Sequence, residues 1–134
     1  MWVQLSAQEI SSELSLPQMV DSVNYLLRNC EDRFVQPVFS INEKGDISIL
    51  DKKKSGFRFN ISILRSDDST QNVFKGIEFV PERPKSITTN KIIQFIDQEE
   101  NRVGLLMFTR TDDTYVRKIY GLLVQIRSYF ANNK

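Results

Sequence analysis

Four adjacent carboxylate pairs are the groups in this sequence that could act as general acids or bases. Such chemistry needs two carboxyl groups that converge on one substrate in different protonation states. Neighbouring residues point to opposite sides of a strand and do not share a face of a helix, and all four pairs fall at predicted turns or element ends. We therefore interpret them as solvated turn and capping residues. The pairs are Glu31–Asp32, Asp67–Asp68, Glu99–Glu100 and Asp112–Asp113.

Histidine is absent from the sequence, and Cys30 is its only cysteine. The lack of histidine removes Ser-His-Asp and Cys-His catalysis together with histidine metal ligation. A single cysteine cannot build a structural zinc site or an internal disulfide, and its place on the apolar face of a predicted helix indicates a buried thiol. The five glycines are scattered, so no phosphate-binding loop is present. The sequence predicts a protein that is not an enzyme and that binds no metal ion or cofactor.

The stretch at 51–59 has the pattern most suggestive of binding. Three lysines occupy a predicted turn and are followed by a strand in which an arginine separates two phenylalanines. Basic residues interleaved with aromatic residues can hold phosphates and stack bases. Strand alternation sends Phe57 and Phe59 to the core face, so a solvated lysine turn is the competing interpretation. The candidate binding residues in this stretch are Lys52, Lys53, Lys54 and Arg58.

The end of the chain is a second basic segment. Residues 1–40 have a net charge of −3 and the remainder +4, and residues 114–134 contain no acidic residue. Arg117 and Arg127 are therefore candidates for contact with an acidic partner, with a solvated helix face as the plainer interpretation. The segment 6–27 also has a helix-turn-helix pattern, but the negative charge of the N-terminal part disfavours contact with DNA phosphates.

Two helices are predicted near the N-terminus. A capping-box pattern predicts a short helix over 7–15. Pro17 suits the first turn of a second helix, which runs to residue 29 or 30. The apolar residues of this second helix recur at helical spacing, and Phe34 continues them. We expect this apolar face to pack on the rest of the protein.

From Val38 onward the apolar period changes to two, which predicts about six antiparallel strands. Polar segments at 42–46 and 97–101 join neighbouring strands as hairpins. The segment 103–108 is apolar on both faces, so we expect it to be the central strand. The predicted strands cover residues 38–41, 47–49, 57–63, 73–80, 92–96 and 103–109.

A long amphipathic helix closes the chain. Thr111, Asp112 and Asp113 are its N-cap candidates. Gly121 interrupts the helix and indicates a close approach to the sheet. Beside the main apolar stripe of this helix lies a second apolar row, the rim, which consists of Tyr115, Leu122 and Tyr129. The rim fits either a homodimer contact or burial of a wide face of the helix. The main stripe consists of Val116, Ile119, Tyr120, Leu123, Ile126 and Phe130.

These elements predict one α+β domain over residues 1–134, with N-terminal helices, an antiparallel meander and a C-terminal helix packed on the sheet. The order of elements resembles the pleckstrin-homology-like architecture, in which a C-terminal helix plugs a curved sheet. The longest apolar run is far shorter than the ~20 residues that span a membrane, and the N-terminus shows no targeting pattern. With a lone cysteine, this predicts an intracellular, cytoplasmic protein.

Our leading functional hypothesis is a non-catalytic protein-interaction module, either an adaptor or a subunit of a larger assembly. An open antiparallel sheet offers such a module edge strands that can accept a partner strand. The alternative is binding of nucleic acid or an acidic lipid through the basic turn at 52–58. Salt separates the two, because phosphate contacts release counterions and weaken steeply as the salt concentration rises.

Overall fold

The strands that the structure describes form two antiparallel sheets of three strands each, β1-β2-β3 and β4-β5-β6. The computed structural model describes residues 14–65, 76–81 and 90–132. The predicted α+β class, the six antiparallel strands and the long C-terminal helix are confirmed, whereas all but the last two residues of the helix predicted over 7–15 lie outside the described ranges. The elements are α1 (Leu16–Arg28), β1 (Val38–Ile41), β2 (Asp46–Leu50), β3 (Gly56–Asn60), β4 (Ile77–Val80), β5 (Lys91–Ile96), β6 (Arg102–Phe108) and α2 (Asp113–Asn132).

Helix α1 begins at a capping box. Ser15 Oγ accepts a hydrogen bond from the N–H of Gln18, and Gln18 Oε1 accepts one from the N–H of Ser15. Pro17 lies in the first turn, where its missing N–H leaves no bond unmade. Asn29 caps the end of the helix, and its backbone and side-chain nitrogens both donate to Tyr25 O. Its buried face packs on β1 and α2 and consists of Leu16, Met19, Val23 and Leu27.

The first sheet stops where the chain leaves β3. Asn60 Oδ1 accepts a hydrogen bond from the N–H of Ser62, which turns the chain into a short 3-10 helix over Ile61–Ile63. The third strand is therefore shorter than predicted. The N–H of Arg65 then donates to Ile96 O at 2.9 Å, so the chain passes directly from the first sheet to the second. The predicted meander is thus divided into two sheets at this point.

Strand β5, not β6, is the central strand of the second sheet. The prediction that 103–108 would be the central strand is wrong, because buried and exposed apolar residues alternate along this strand. Leu106 and Phe108 are buried, whereas Met107 between them is exposed. Ile93 and Phe95 of β5 are buried and have paired strands on both sides.

The two sheets meet at an aromatic contact. The ring centroids of Phe59 in β3 and Phe95 in β5 are 5.3 Å apart. Gly104 of β6 faces this contact, and a Cβ atom there would lie 2.8 Å from Cε1 of Phe59. Glycine therefore lets β3 pack on β6 at a separation that a larger residue would prevent.

Helix α2 packs on α1 and β4 through the predicted stripe. Asp112 Oδ2 accepts a hydrogen bond from the N–H of Thr114 and so caps the first turn. Within the described ranges, no helix combines the length and apolar character needed to cross a bilayer. Four stripe residues are almost fully buried, namely Val116, Ile119, Leu123 and Ile126.

The residues of the apolar rim of α2 are partly buried in the fold, and the homodimer contact stays a prediction. Tyr115 donates its hydroxyl hydrogen to Leu26 O of α1 at 2.9 Å, and Leu122 and Tyr129 are half-buried against the core. Gly121, by contrast, has no atom within 4 Å of the position a Cβ would take. The predicted close approach of the helix to the sheet at this glycine is therefore wrong.

Candidate functional site

The lysine turn, residues 51–55, joins β2 to β3 and is held by one aspartate. Asp51 Oδ1 accepts hydrogen bonds from the N–H groups of Lys53 at 2.8 Å and Ser55 at 3.0 Å. The backbone of Asp51 also donates to Ser55 O and accepts from the N–H of Lys54. These bonds fix the turn, so the three exposed lysines project from a defined backbone.

The same turn geometry recurs at 42–46 and 97–101. In each turn the side-chain oxygen of the first residue accepts from the N–H groups of the third and fifth. The fourth residue has positive φ, which is 88° at Gly45 and 67° at both Lys54 and Glu100. Asn or Asp at the first position is a sequence signal for this turn, so the tight geometry at 51–55 could have been predicted.

Arg58 lies on the outer face of the first sheet at the middle of β3, where it lines a hollow with Asn42 and Asp46. It pairs with Ser48 across the strands, and Ser48 Oγ is 2.5 Å from Ser40 Oγ. In the described part of the chain, no carboxylate lies within 4.0 Å of Arg58 or of the three lysines. The structure therefore brings Lys52, Lys53 and Lys54 together in one turn, whereas it places Arg58 in the middle of β3.

The aromatic residues of this stretch do not accompany Arg58. As strand alternation predicted, Phe57 and Phe59 point to the other face and pack against the core. The outer face instead presents Val38 and Leu50, which pair with each other across β1 and β2. A row of stacked bases therefore finds no aromatic platform on this sheet face.

Arg117 and Arg127 lie on α2 and make contacts within the fold. The Arg117 guanidinium lies 4.7 Å from the ring centroid of Phe79. Arg127 is half-buried, its Nη2 is 3.4 Å from Arg65 O, and burial lowers the pKa of its guanidinium. Since α2 packs on α1 and β4, the structure does not join these two arginines to the lysine turn.

Asp32 is a buried carboxylate, only 7% exposed, so its interpretation as a solvated turn residue is wrong. Its oxygens accept hydrogen bonds from the N–H groups of Thr109, Arg110 and Thr111 and from Thr111 Oγ1. Burial alone raises the pKa of this carboxyl, but these hydrogen bonds together outweigh burial and lower it. Asp32 thereby ties the segment after α1 to the junction between β6 and α2.

The turn that Asp32 anchors presents two large apolar side chains to solvent. The N–H of Val35 donates to Asp32 O, and Phe34 and Val35 are 84% and 73% exposed. The prediction that Phe34 continues the buried face of α1 is wrong because the helix ends before it. The Arg33 guanidinium lies 4.6 Å from the centroid of the Phe34 ring. We call Phe34 and Val35 the apolar ledge.

A hollow of about 410 Å³ lies beside the apolar ledge. Glu31 and Arg110 contribute charged groups of opposite sign to its lining, and both are exposed. Gln36 follows the ledge and donates from Nε2 to Met107 O at 2.6 Å, which holds this segment against β6. The residues lining the hollow are Glu31, Asp32, Phe34, Val35, Thr109 and Arg110.

The outer edge of β1 is occupied by a side chain of α1. Asn24 Nδ2 donates to Phe39 O at 2.7 Å, and Asn24 Oδ1 accepts from the N–H of Phe39 at 2.9 Å. These bonds take the place of a neighbouring strand, and α1 itself packs on β1. Addition of a partner strand at this point of the edge would have to displace Asn24.

Cys30, Glu78 and Glu100 are engaged in structural contacts. Cys30 is buried, with Sγ 3.2 Å from Leu27 O. Glu78 and Glu100 both pair with Arg65, at 2.6 Å each, so their negative charges are balanced by a cation. No group of three or more cysteine or acidic residues suited to a metal ion occurs in the part of the chain that the structure describes.

Comparisons with protein-family models, curated proteins and solved structures gave no match. The resemblance in element order to the pleckstrin-homology-like architecture therefore stays a prediction.

Proposed function

We propose that this chain is a non-catalytic protein-interaction module, an adaptor or a subunit of a larger assembly, whose contact surface is the apolar ledge. One observation carries the proposal: Phe34 and Val35 are exposed while the turn beneath them is pinned by the buried Asp32. Large apolar side chains on a fixed support lose little entropy when a partner covers them. Aromatic residues of this kind dominate the binding energy of many interfaces.

The surroundings of the apolar ledge also suit a protein partner. The hollow next to Phe34 is concave and has apolar and charged walls, a combination that can receive a protruding side chain. Its charged residues, Glu31 and Arg110, would lie at the rim of such a contact, where they favour a specific orientation. A cytoplasmic location is part of the proposal, since Cys30 is a free, buried thiol.

Site-specific photo-crosslinking in the native cells tests this proposal. A photoreactive phenylalanine analogue is placed at position 34 and, as a matched control, at position 25, where Tyr25 is 59% exposed on α1. We expect discrete protein adducts from position 34 and few from position 25, because only the ledge is proposed to be covered. Equal adduct patterns at the two positions would refute the ledge as the contact surface.

A second candidate function is binding of nucleic acid or an acidic lipid through Lys52, Lys53, Lys54 and Arg58. The observation that favours it is the absence of any carboxylate within 4.0 Å of these cations in the described ranges. It predicts that the logarithm of affinity falls linearly with the logarithm of salt concentration, and that each lysine-to-alanine change reduces the slope by about one. A salt-independent affinity would exclude this second function.

A further inference from the structure

The apolar ledge and the lysine turn lie at the same end of the first sheet. Val38 pairs with Leu50 across β1 and β2. The ledge precedes Val38 in the chain, and the lysine turn follows Leu50, so antiparallel pairing brings both segments to one end. Val38 itself is 61% exposed. We call the ledge with Arg33, its hollow and the lysine turn the basic-apolar end.

Positive charge prevails at the basic-apolar end. Five cations and three carboxylates belong to these segments, which leaves a net charge of +2. Of the carboxylates, Asp32 is buried and accepts hydrogen bonds from the β6–α2 junction, and Asp51 is bonded to two amides of its own turn. Only Glu31 is an exposed acid without such bonds. The cations are Arg33, Lys52, Lys53, Lys54 and Arg110.

We infer that the partner of this module is an acidic protein segment with one apolar side chain that enters the hollow beside Phe34. The inference rests on the proposed function and adds the chemistry of its partner. Charge complementarity steers an acidic segment toward the lysines and arginines. The apolar side chain covers Phe34 and Val35, whose contact with water is unfavourable.

The shape of the surface favours a protein segment over a lipid bilayer or a nucleic acid. A bilayer surface has no protruding group that would fill a concave hollow, and it would repel Glu31 at the edge of that hollow. A single-stranded nucleic acid needs exposed aromatic residues in series, whereas Phe57 and Phe59 are turned to the core. A folded or extended protein segment can supply both an apolar side chain that fills the hollow and carboxylates that face the lysines and arginines.

Selection from a random peptide library displayed on phage tests the inference on the intact chain. We expect the selected peptides to be rich in Asp and Glu around one apolar residue. Their affinity is then measured by fluorescence anisotropy against three variants. Lys53→Glu and Lys44→Glu form a matched pair, because each lysine is the third residue of an identical turn and the two turns lie at opposite ends of the first sheet. Phe34→Ser probes the ledge.

The expected changes differ among the three variants. Phe34→Ser should weaken binding by about tenfold or more, because it removes an aromatic anchor. Lys53→Glu should weaken it by about threefold to tenfold, as reversal of a charge at the rim does. Lys44→Glu should leave affinity within about twofold, since its turn is remote from the surface. Near-ultraviolet circular dichroism of each variant checks that the fold is kept.

Other results would overturn the inference. The acidic partner would be refuted by selected peptides without acidic residues, or by equal effects of Lys53→Glu and Lys44→Glu on affinity. In either case, a loss of affinity with Phe34→Ser would still support the protein-interaction module. Failure to select any peptide that depends on Phe34 would refute both. Binding of phosphatidylserine vesicles or an oligonucleotide that needs Lys53, without peptide binding, would assign the surface to the second candidate function. A dimer that Phe34→Ser dissociates, seen by light scattering, would identify a second copy as the occupant.

Discussion

Asp32 Oδ2 accepts a hydrogen bond from Thr111 Oγ1 at 2.6 Å and another from the N–H of Thr111 at 3.0 Å. Both residues are buried. The contact joins the segment after α1 to the N-terminal end of α2, which lies 79 residues further along the chain. The position of the apolar ledge therefore depends on a contact between two distant parts of the sequence, not on the local turn alone.

Replacement of Asp32 by asparagine should lower the free energy of unfolding by about 2 kcal/mol. Asparagine replaces the hydrogen bonds to a buried, charged acceptor with weaker ones. Its side-chain NH2 group also faces N–H and O–H donors, with which it cannot form a hydrogen bond. Urea denaturation followed by circular dichroism measures the change. Glu31→Gln is the matched control, and its exposed side chain should contribute less than about 0.5 kcal/mol. Equal effects of the two substitutions would contradict the anchoring role of Asp32.

The lowered pKa of Asp32 also sets the direction of an acid effect on stability. Burial opposes ionisation of this carboxyl, but the hydrogen bonds from Thr111 and the neighbouring amides hold its folded-state pKa below the ordinary value of 3.8. The stabilisation is therefore complete above pH 3.8 and is lost as pH falls through the folded-state pKa. Denaturation at several pH values should show a shallower acid loss in Asp32→Asn than in the wild type. Parallel pH profiles would be inconsistent with this assignment.

Lys54 adopts a left-handed backbone conformation with φ of 67°, which costs energy for any residue with a Cβ. Lys54→Gly should therefore raise the free energy of unfolding by about 0.5–1 kcal/mol, after the entropic cost of glycine is included. Lys53→Gly is the control, since its φ is not positive, and it should be neutral or destabilising. Thermal denaturation compares the two, and a destabilised Lys54→Gly would count against the turn geometry.

Gly121 and Gly104 should respond in opposite ways to alanine. A Cβ at Gly121 meets no atom within 4 Å, so Gly121→Ala should stabilise the protein by about 1 kcal/mol through helix propensity. A Cβ at Gly104 would lie 2.8 Å from the Phe59 ring, so Gly104→Ala should destabilise it by about 1–3 kcal/mol through overpacking. Melting temperatures measure both effects. The same sign for the two variants would contradict the packing described between the sheets.

Local features of the fold could be predicted from the sequence. The apolar stripe of α2, the start of α1 near Pro17 and the hairpins at 42–46 and 97–101 depend on periodicity and turn residues, which neighbours in sequence determine. Alternation likewise predicted the inward side chains of Phe57 and Phe59. The exposed lysines of the turn at 51–55 follow from the same local pattern.

The features that depend on distant residues could not be predicted. A turn aspartate such as Asp32 is usually solvated, and only the approach of Thr111 from another part of the chain buries it. Phe34 continues the apolar spacing of α1, but the helix ends at Arg28, so that spacing no longer determines where Phe34 points. The half-burial of Arg127 by packing of α2 had no signal in the local sequence.

The most direct test of the proposed contact surface is affinity purification of the tagged protein from its native cells, after nuclease treatment, with partners quantified by mass spectrometry. Phe34→Ser is compared with Tyr25→Ser, which removes an exposed aromatic residue outside the apolar ledge. We predict a specific partner that falls by about tenfold with Phe34→Ser and is unchanged with Tyr25→Ser. Partners recovered equally by both variants would contradict the proposal that the apolar ledge is the contact surface.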